Sequence, residues 1–408
     1  MQIYSKMIRK WFGITLIVAL LLSVAACCEK IIPEIEAQRS VLIYMAANNN
    51  LDRYAKRNLE LLKSGFLPSN GNIIVYLHLT DEPPRIFKLV KDKKTNTVEE
   101  ELIKEYDINE RSTDPAVLTR SLQLMEDLYP AKEYGLILWS HGTGWLPVTT
   151  TRNFPLSLKN VLENQERMSV RDMPVAKSFS GYRGDPGMDV TEIAAAIPYR
   201  LSFILFDACL MGGIEVLYAL RDVTDYMIAS PAEILADGFP YDRIMQPLFL
   251  SQPDLKEVCN AFFNFYDEQP GQSRSATVAL YATEWLPELT QSLQTIFSAR
   301  REEIDQFSPV DVQSYANYSL ADQPYFDLND FIYQLAPAEY TSFKSSLDKV
   351  VLHSRATERV FSMLPFSATF PIKEGGFGGI STYIPHSQSS WIAAYKETEW
   401  NKVVHLVE

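Results

Sequence analysis

What most constrains this chain is a rhythm. Between residues 41 and 229, short continuous apolar runs alternate with segments of helical periodicity. Residues 41–47 (VLIYMAA), 73–79 (IIVYLHL), 136–139 (LILW), 201–208 and 226–229 read as buried strands. About 51–63, 115–128, 190–197 and 210–220 read as helices. Strands that are apolar on both faces need cover on both, and alternating helices supply it around a mostly parallel sheet. Runs at 85–90 and 97–103, split by a charged stretch, add an edge hairpin. In such a sheet, residues just past the carboxyl ends of the strands share one crevice. Two strands deliver reactive side chains there. LILWSHGTGW (136–145) carries His141 into a glycine-rich turn, and LSFILFDACLMGG (201–213) carries Cys209 to a turn before a helix. A histidine and a cysteine meeting in one crevice are the minimum set for thiol catalysis.

Beyond residue 250 the rhythm changes. Helices are predicted over 254–267, 285–306, 327–336, 340–352 and 390–404, with strands at 275–282 and 379–385. The expected organisation is a sheet domain over 40–250 and a smaller, mainly helical region over 251–408 packed on it. Residues 146–188 interrupt the sheet domain with an aperiodic stretch rich in Arg, Lys, Ser, Asn and Pro. A loop of that length is uncommon in a compact domain and is usually functional.

The first 26 residues read as a targeting segment. Lys6, Arg9 and Lys10 precede an apolar run that ends at Ala25 and Ala26. Val24-Ala25-Ala26-Cys27 resembles a bacterial lipobox, in which the cysteine is lipidated and becomes the mature N-terminus; an ordinary secretory signal and an uncleaved anchor are the alternatives. Residues 27–39 would then be a membrane tether. Removing three basic residues leaves 35 Lys and Arg against 51 Asp and Glu, a net charge near −16. No basic surplus exists to neutralise phosphates, which argues against a nucleic-acid partner. With Cys27 lipidated, Cys28, Cys209 and Cys259 remain, too few for a disulfide framework and without a C-x-x-C metal pair.

A thiol at the start of a helix meets partial positive charge, which favours the reactive thiolate. The glycines after His141 let backbone amides approach a ligand closely, as an oxyanion hole requires. Ser140 lacks the G-x-S-x-G elbow of a serine nucleophile and is set aside. Strand alternation turns Asp207 to the same side as Cys209. A carboxylate there opposes thiolate formation; it would earn its position by recognising a cationic side chain, although a strand-end aspartate with no ligand is the commoner case.

SHGTGW and FDACLMGG, with VLIYMAANNNLD before them and ASPAEILADGFPYDRI after, resemble the clostripain family of cysteine peptidases. The likeness covers roughly residues 41–244, with a weaker echo at GGISTYIP (378–385). The resemblance implies a caspase-like fold and hydrolysis after basic residues. It makes His141 the general acid and base and Cys209 the nucleophile, with the amides of Gly142 and Cys209 as the oxyanion hole. Asp207 and Asp237 would line the pocket for the substrate's Arg or Lys. It further implies activation by cleavage after a basic residue of the loop, for which Arg152, Lys159, Arg167, Arg171, Lys177 and Arg183 are candidates.

The expected protein is therefore a lipid-anchored endopeptidase of the bacterial cell envelope acting on proteins or peptides. No cofactor is expected; some relatives respond to calcium, but no D-x-[DN]-x-[DN]-G loop is present. A catalytically silent surface module on the same fold is the main alternative, and a thiol hydrolase or acyltransferase on a non-peptide substrate a weaker one.

Overall fold

The computed structural model describes residues 37–67, 71–147, 176–177, 187–363 and 368–408. The signal segment, Cys27 and most of 146–188 lie outside the described residues. Residues Ala37–Glu408 form one compact unit. Its centre is a nine-stranded sheet. In chain order the strands are β1 (Ala37–Ala47), β2 (Gly71–Leu79), β3 (Arg85–Lys91), β4 (Val98–Glu105), β5 (Ala131–Trp139), β6 (Leu201–Asp207), β7 (Thr224–Ala229), β8 (Thr277–Ala282), the short β9 (Phe326–Asp327) outside this sheet, and β10 (Val351–Ala356). The spatial order is β10-β8-β7-β6-β5-β1-β2-β3-β4.

The strands β7, β6, β5, β1 and β2 run parallel. Antiparallel strands complete the sheet at each edge. The apolar runs account for the parallel centre: Val41, Leu42 and Ile43 of β1, Ile74 and Val75 of β2, and Ile204 and Leu205 of β6 are fully buried. From β1 the sheet grows one way to β2 and the other way to β5. That reversal opens a crevice at the strand ends between β1 and β5, where ligands of open α/β sheets bind.

Helices cover both faces, as the alternation requires. They include α1 (Asp52–Ser64), α2 (Pro115–Leu128), α3 (Val190–Ala196), α4 (Ile214–Leu220), α5 (Tyr241–Leu248) and α6 (Leu255–Asp267). Helix α2 starts where Asp114 caps it, accepting from the Ala116 amide at 2.9 Å just ahead of the N-terminal turn.

Several boundaries differ from the sequence reading. Strand β1 begins at Ala37, inside the stretch expected to be tether, because Arg39 is buried in an ion pair with Glu133 (2.5 Å) and bonds to the carbonyls of Leu248 and Leu250. Strands β8 and β10, both beyond residue 250, pair with each other and join the main sheet through β7. The C-terminal region is thus woven into the same sheet. Residues 379–385 contribute only a two-residue strand, Ser381–Thr382, against β9. The helix expected over 210–220 begins at Ile214, so Cys209 stands on a turn well ahead of it.

Candidate active site

The register of β5 against β6 sets Trp139 opposite Asp207. The two reactive segments therefore leave neighbouring strands side by side. Their contact is close: a Cβ built on Gly142 would sit 2.3 Å from the Cys209 carbonyl oxygen and 3.1 Å from its amide nitrogen. Only glycine lets these backbones approach so nearly. The turn after the thiol is held by β7's extension, with the Leu210 amide donating to Ala232 and the Gly212 amide to Ser230. Leu210 itself takes a positive φ of 64°, an uncommon conformation for a branched side chain.

The Cys209 thiol is fully buried. It accepts from the Ile234 amide at 3.0 Å and donates to the Ile234 carbonyl at 3.4 Å. Burial pushes its pKa well above the ordinary thiol value, and nearby Glu233 pushes the same way. The Ile234 amide and Lys177 oppose this in part. The expected lowering by a helix N-terminus does not arise, because α4 starts five residues later and the thiol is desolvated. Glu233 was not singled out by sequence reasoning. It is buried and accepts from Ser362 and from the Met363 amide.

His141 is half-buried, with Nε2 2.8 Å from Oδ1 of Asn50 at the end of β1. The Ser140 hydroxyl donates to Ala46, pinning the His141 turn to the end of β1. Ser140 is thereby engaged in holding backbone. The alternate side chains of the same strands, Tyr44, Leu138, Phe206 and Ala208, line a mostly apolar cavity of about 140 Å³ that also reaches His141 and Gly142.

On the Cys209 side, Asp207 is fully buried and meets Lys177, also fully buried. Lys177 Nζ lies 2.5 Å from Oδ1 of Asp207, donates to the Asp207 carbonyl at 3.1 Å, and stands over the Trp139 ring at 4.1 Å. The other carboxylate oxygen accepts from the Phe239 amide (3.2 Å) and the Tyr241 hydroxyl (3.0 Å). Burial pulls Lys177 down to about 8, with Asp207 holding it up in part. A Cβ on Gly238, whose φ is +69°, would lie 2.5 Å from the carboxylate and 2.7 Å from the ammonium. The pocket is a slot for a cation, floored by an indole and headed by a carboxylate.

The backbone at residues 176–177 is docked by an isolated β-bridge and a further hydrogen bond. Ala176 forms an antiparallel bridge with Leu235, and the Lys177 amide donates to the Ile234 carbonyl at 2.7 Å. Of the six basic loop residues considered, Lys177 alone falls among the described residues. Asp237 stands apart from this arrangement: its carboxylate pairs with Arg57 of α1 at 2.6 Å on the surface, while its carbonyl accepts from Asn58. Asn58 in turn accepts from the Trp139 indole, so it braces the pocket floor. Trp139, Gly238, Tyr241 and Asn50 went unrecognised as site residues, because only the strand order brings them together. Among the described residues, no group of three or more His, Cys, Asp or Glu is arranged to hold a metal ion, and no helix is long and apolar enough to cross a membrane.

The parallel-centred α/β sheet is the caspase-like fold of the C11 cysteine proteases, and in this chain it sets a histidine and a cysteine on adjacent strand ends. The sequence profile of the Clostripain family matches residues 43–405, and the chain belongs to that family. It is 23% identical over 427 aligned residues to clostripain of Hathewaya histolytica, covering 88% of this chain and 77% of that protein. Among solved structures it is similar to an inactive zymogen C11 protease from Parabacteroides distasonis (30% identity, TM-score 0.76, 91% of this chain and 99% of the other). It is also similar to a secreted C11 cysteine protease from Bacteroides thetaiotaomicron (25% identity, TM-score 0.76, covering 91% and 100%).

Proposed function

We propose that this cysteine peptidase cleaves after Arg or Lys through His141 and Cys209, and that the intact chain is a latent form released by cleavage after Lys177. The observation that carries the reading is the docking of Lys177: its ammonium on Asp207, its side chain over Trp139, its amide on Ile234. An extended peptide with a basic residue would make the same contacts. While Lys177 fills the slot, no substrate side chain can enter.

In the proposed reaction the Cys209 thiol loses its proton to His141, and Sγ attacks the scissile carbonyl carbon. The amides of Gly142 and Cys209 receive the oxyanion. The C–N bond breaks as His141 returns the proton to the leaving amine, leaving a thioester. Water, deprotonated by His141, hydrolyses the thioester and restores the thiol. The chemistry needs no metal. Asp207 would be the principal recognition group, with Asp237, paired to Arg57 outside the pocket, a weaker one acting only through its charge. Lipidation at Cys27 would hold the enzyme on the cell envelope; the secreted relative from Bacteroides thetaiotaomicron agrees with export.

The test uses residues 29–408, alone and with Cys209→Ala. Short amide substrates ending in Arg, Lys, Ala and Asp measure preference, and intact mass reads loop cleavage. Turnover confined to Arg and Lys, with a new terminus after Lys177 that Cys209→Ala abolishes, is the expected result. Absence of thiol-dependent turnover from both intact and precleaved protein would favour a silent binding module instead.

A further inference from the structure

We infer that Asn50 is a positioning residue for His141, fixing which ring nitrogen handles protons. This deepens the proposed dyad and rests on it. His141 follows β5 and Asn50 follows β1, the two strands that flank the reversal of the sheet. The crevice at that reversal therefore receives both side chains, and Asn50 Oδ1 lies 2.8 Å from His141 Nε2.

The three consecutive asparagines at this corner divide their work. Asn48 accepts from the Ser112 hydroxyl, tying the corner to the approach of α2. Asn49 closes the turn, accepting from the Leu51 amide at 2.9 Å and donating to the Ala46 carbonyl. The turn is thus complete without Asn50. Among the described residues, the Asn50 side chain makes one hydrogen bond, the one to His141. Asn50 itself is exposed, so packing gives no reason for its orientation.

The chemistry follows from the donor inventory. An amide oxygen can only accept, so Nε2 carries the hydrogen and Nδ1 carries the lone pair. Nδ1 is the ring nitrogen buried in the protein, while Nε2 faces Asn50. Asn50 therefore sets Nδ1 as the base that takes the Cys209 proton and returns it to the leaving amine. The same bond persists when the ring becomes imidazolium, since Nε2–H remains a donor. A third group orienting a catalytic histidine is the general logic of such sites.

The experiment compares Asn50→Ala and Asn50→Asp with the parent in precleaved enzyme, using a peptide amide ending in Lys. Asn50→Ala should lower kcat by roughly 10- to 100-fold with KM within twofold, the size expected when one orienting group of an acid–base residue is lost. Asn50→Asp keeps the acceptor and should recover most of kcat, while its added charge moves the alkaline limb of kcat/KM upward by about one pH unit. Melting temperature should be unchanged in both, which separates positioning from folding. Parent-like kcat and pH profile in Asn50→Ala, with His141→Ala inactive, would overturn the role of Asn50 and leave the dyad standing. Activity surviving in His141→Ala would instead remove the dyad itself.

Discussion

Replacing Asp207 by Asn should unlock Lys177, and the size of the effect can be worked out. The side chains of both residues are fully buried and meet at 2.5 Å. Breaking a buried pair by removing one charge typically costs about 3–5 kcal/mol, because the other is left uncompensated in a poor solvent. Here the Asp207 carbonyl and the Trp139 ring still solvate the ammonium, so the low end, about 3 kcal/mol, applies. The amide is nearly isosteric, and its oxygen can still accept from Phe239 and Tyr241. The penalty therefore falls on the docked segment rather than on the fold. At about 1.4 kcal/mol per decade, 3 kcal/mol raises the undocked population roughly 100-fold. When opening is fast, proteolysis follows that population. The assay is the initial rate at which a lysine-specific protease cuts after Lys177, measured by mass spectrometry in a Cys209→Ala background that cannot cut itself. A rate within about threefold of the Asp207 parent would refute the claim that this ion pair holds the segment.

The same logic ranks the two aspartates in substrate choice: Asp207→Asn should reduce kcat/KM for Lys substrates about 100-fold or more, whereas Asp237→Asn should cost less than about tenfold, since its partner Arg57 lies on the surface. Comparable losses on a Lys-ended amide would show that the pocket reaches Asp237. Gly238→Ala combines a strained positive φ with a methyl against both ends of the ion pair, so it should weaken binding of basic substrates without abolishing turnover of neutral ones; equal kcat/KM to the parent on Lys substrates would contradict the pocket geometry. Iodoacetamide should label Cys209 slowly in the intact chain, where burial holds the thiol well above its ordinary range, and at least tenfold faster once Lys177 is cut; equal rates would mean that docking does not shield the thiol. Stability should fall as pH rises, because burial lifts Glu215 and Asp327 from ordinary values of 4.5 and 3.8 to about 7 each. The folded state then holds more protons than the unfolded one between about pH 4 and 7. The stabilisation is complete below that window and lost through it, about 3 kcal/mol for Glu215 alone. Melting temperatures from pH 5 to 7.5 should decline in the parent and decline less steeply in Glu215→Gln, where Asp327 still titrates; a parental rise would sink this reading.

The chain's own letters carried the local half of this protein. Runs such as VLIYMAA and LSFILF are apolar on both faces, so they had to become central strands of a covered sheet whatever lay around them. Period and turn chemistry then delivered His141 and Cys209 to strand ends, and strand alternation turned Asp207 toward the thiol. None of this needed knowledge of which strand lies beside which. Strand order did, and only tertiary structure supplies it. The pairing of β5 with β6 set Gly142 against Cys209, the reversal beside β1 brought Asn50 to His141, and the addition of β8 and β10 drew the C-terminal residues into the sheet. Helix geometry corrected one local inference as well: Cys209 stands ahead of α4, and burial governs its thiol more than any dipole. Above all, six basic residues in an aperiodic loop were equivalent by composition. That Lys177 meets the Asp207 carboxylate depends on a long-range, antiparallel contact between 176–177 and 234–235, a nonlocal pairing that no local pattern encodes.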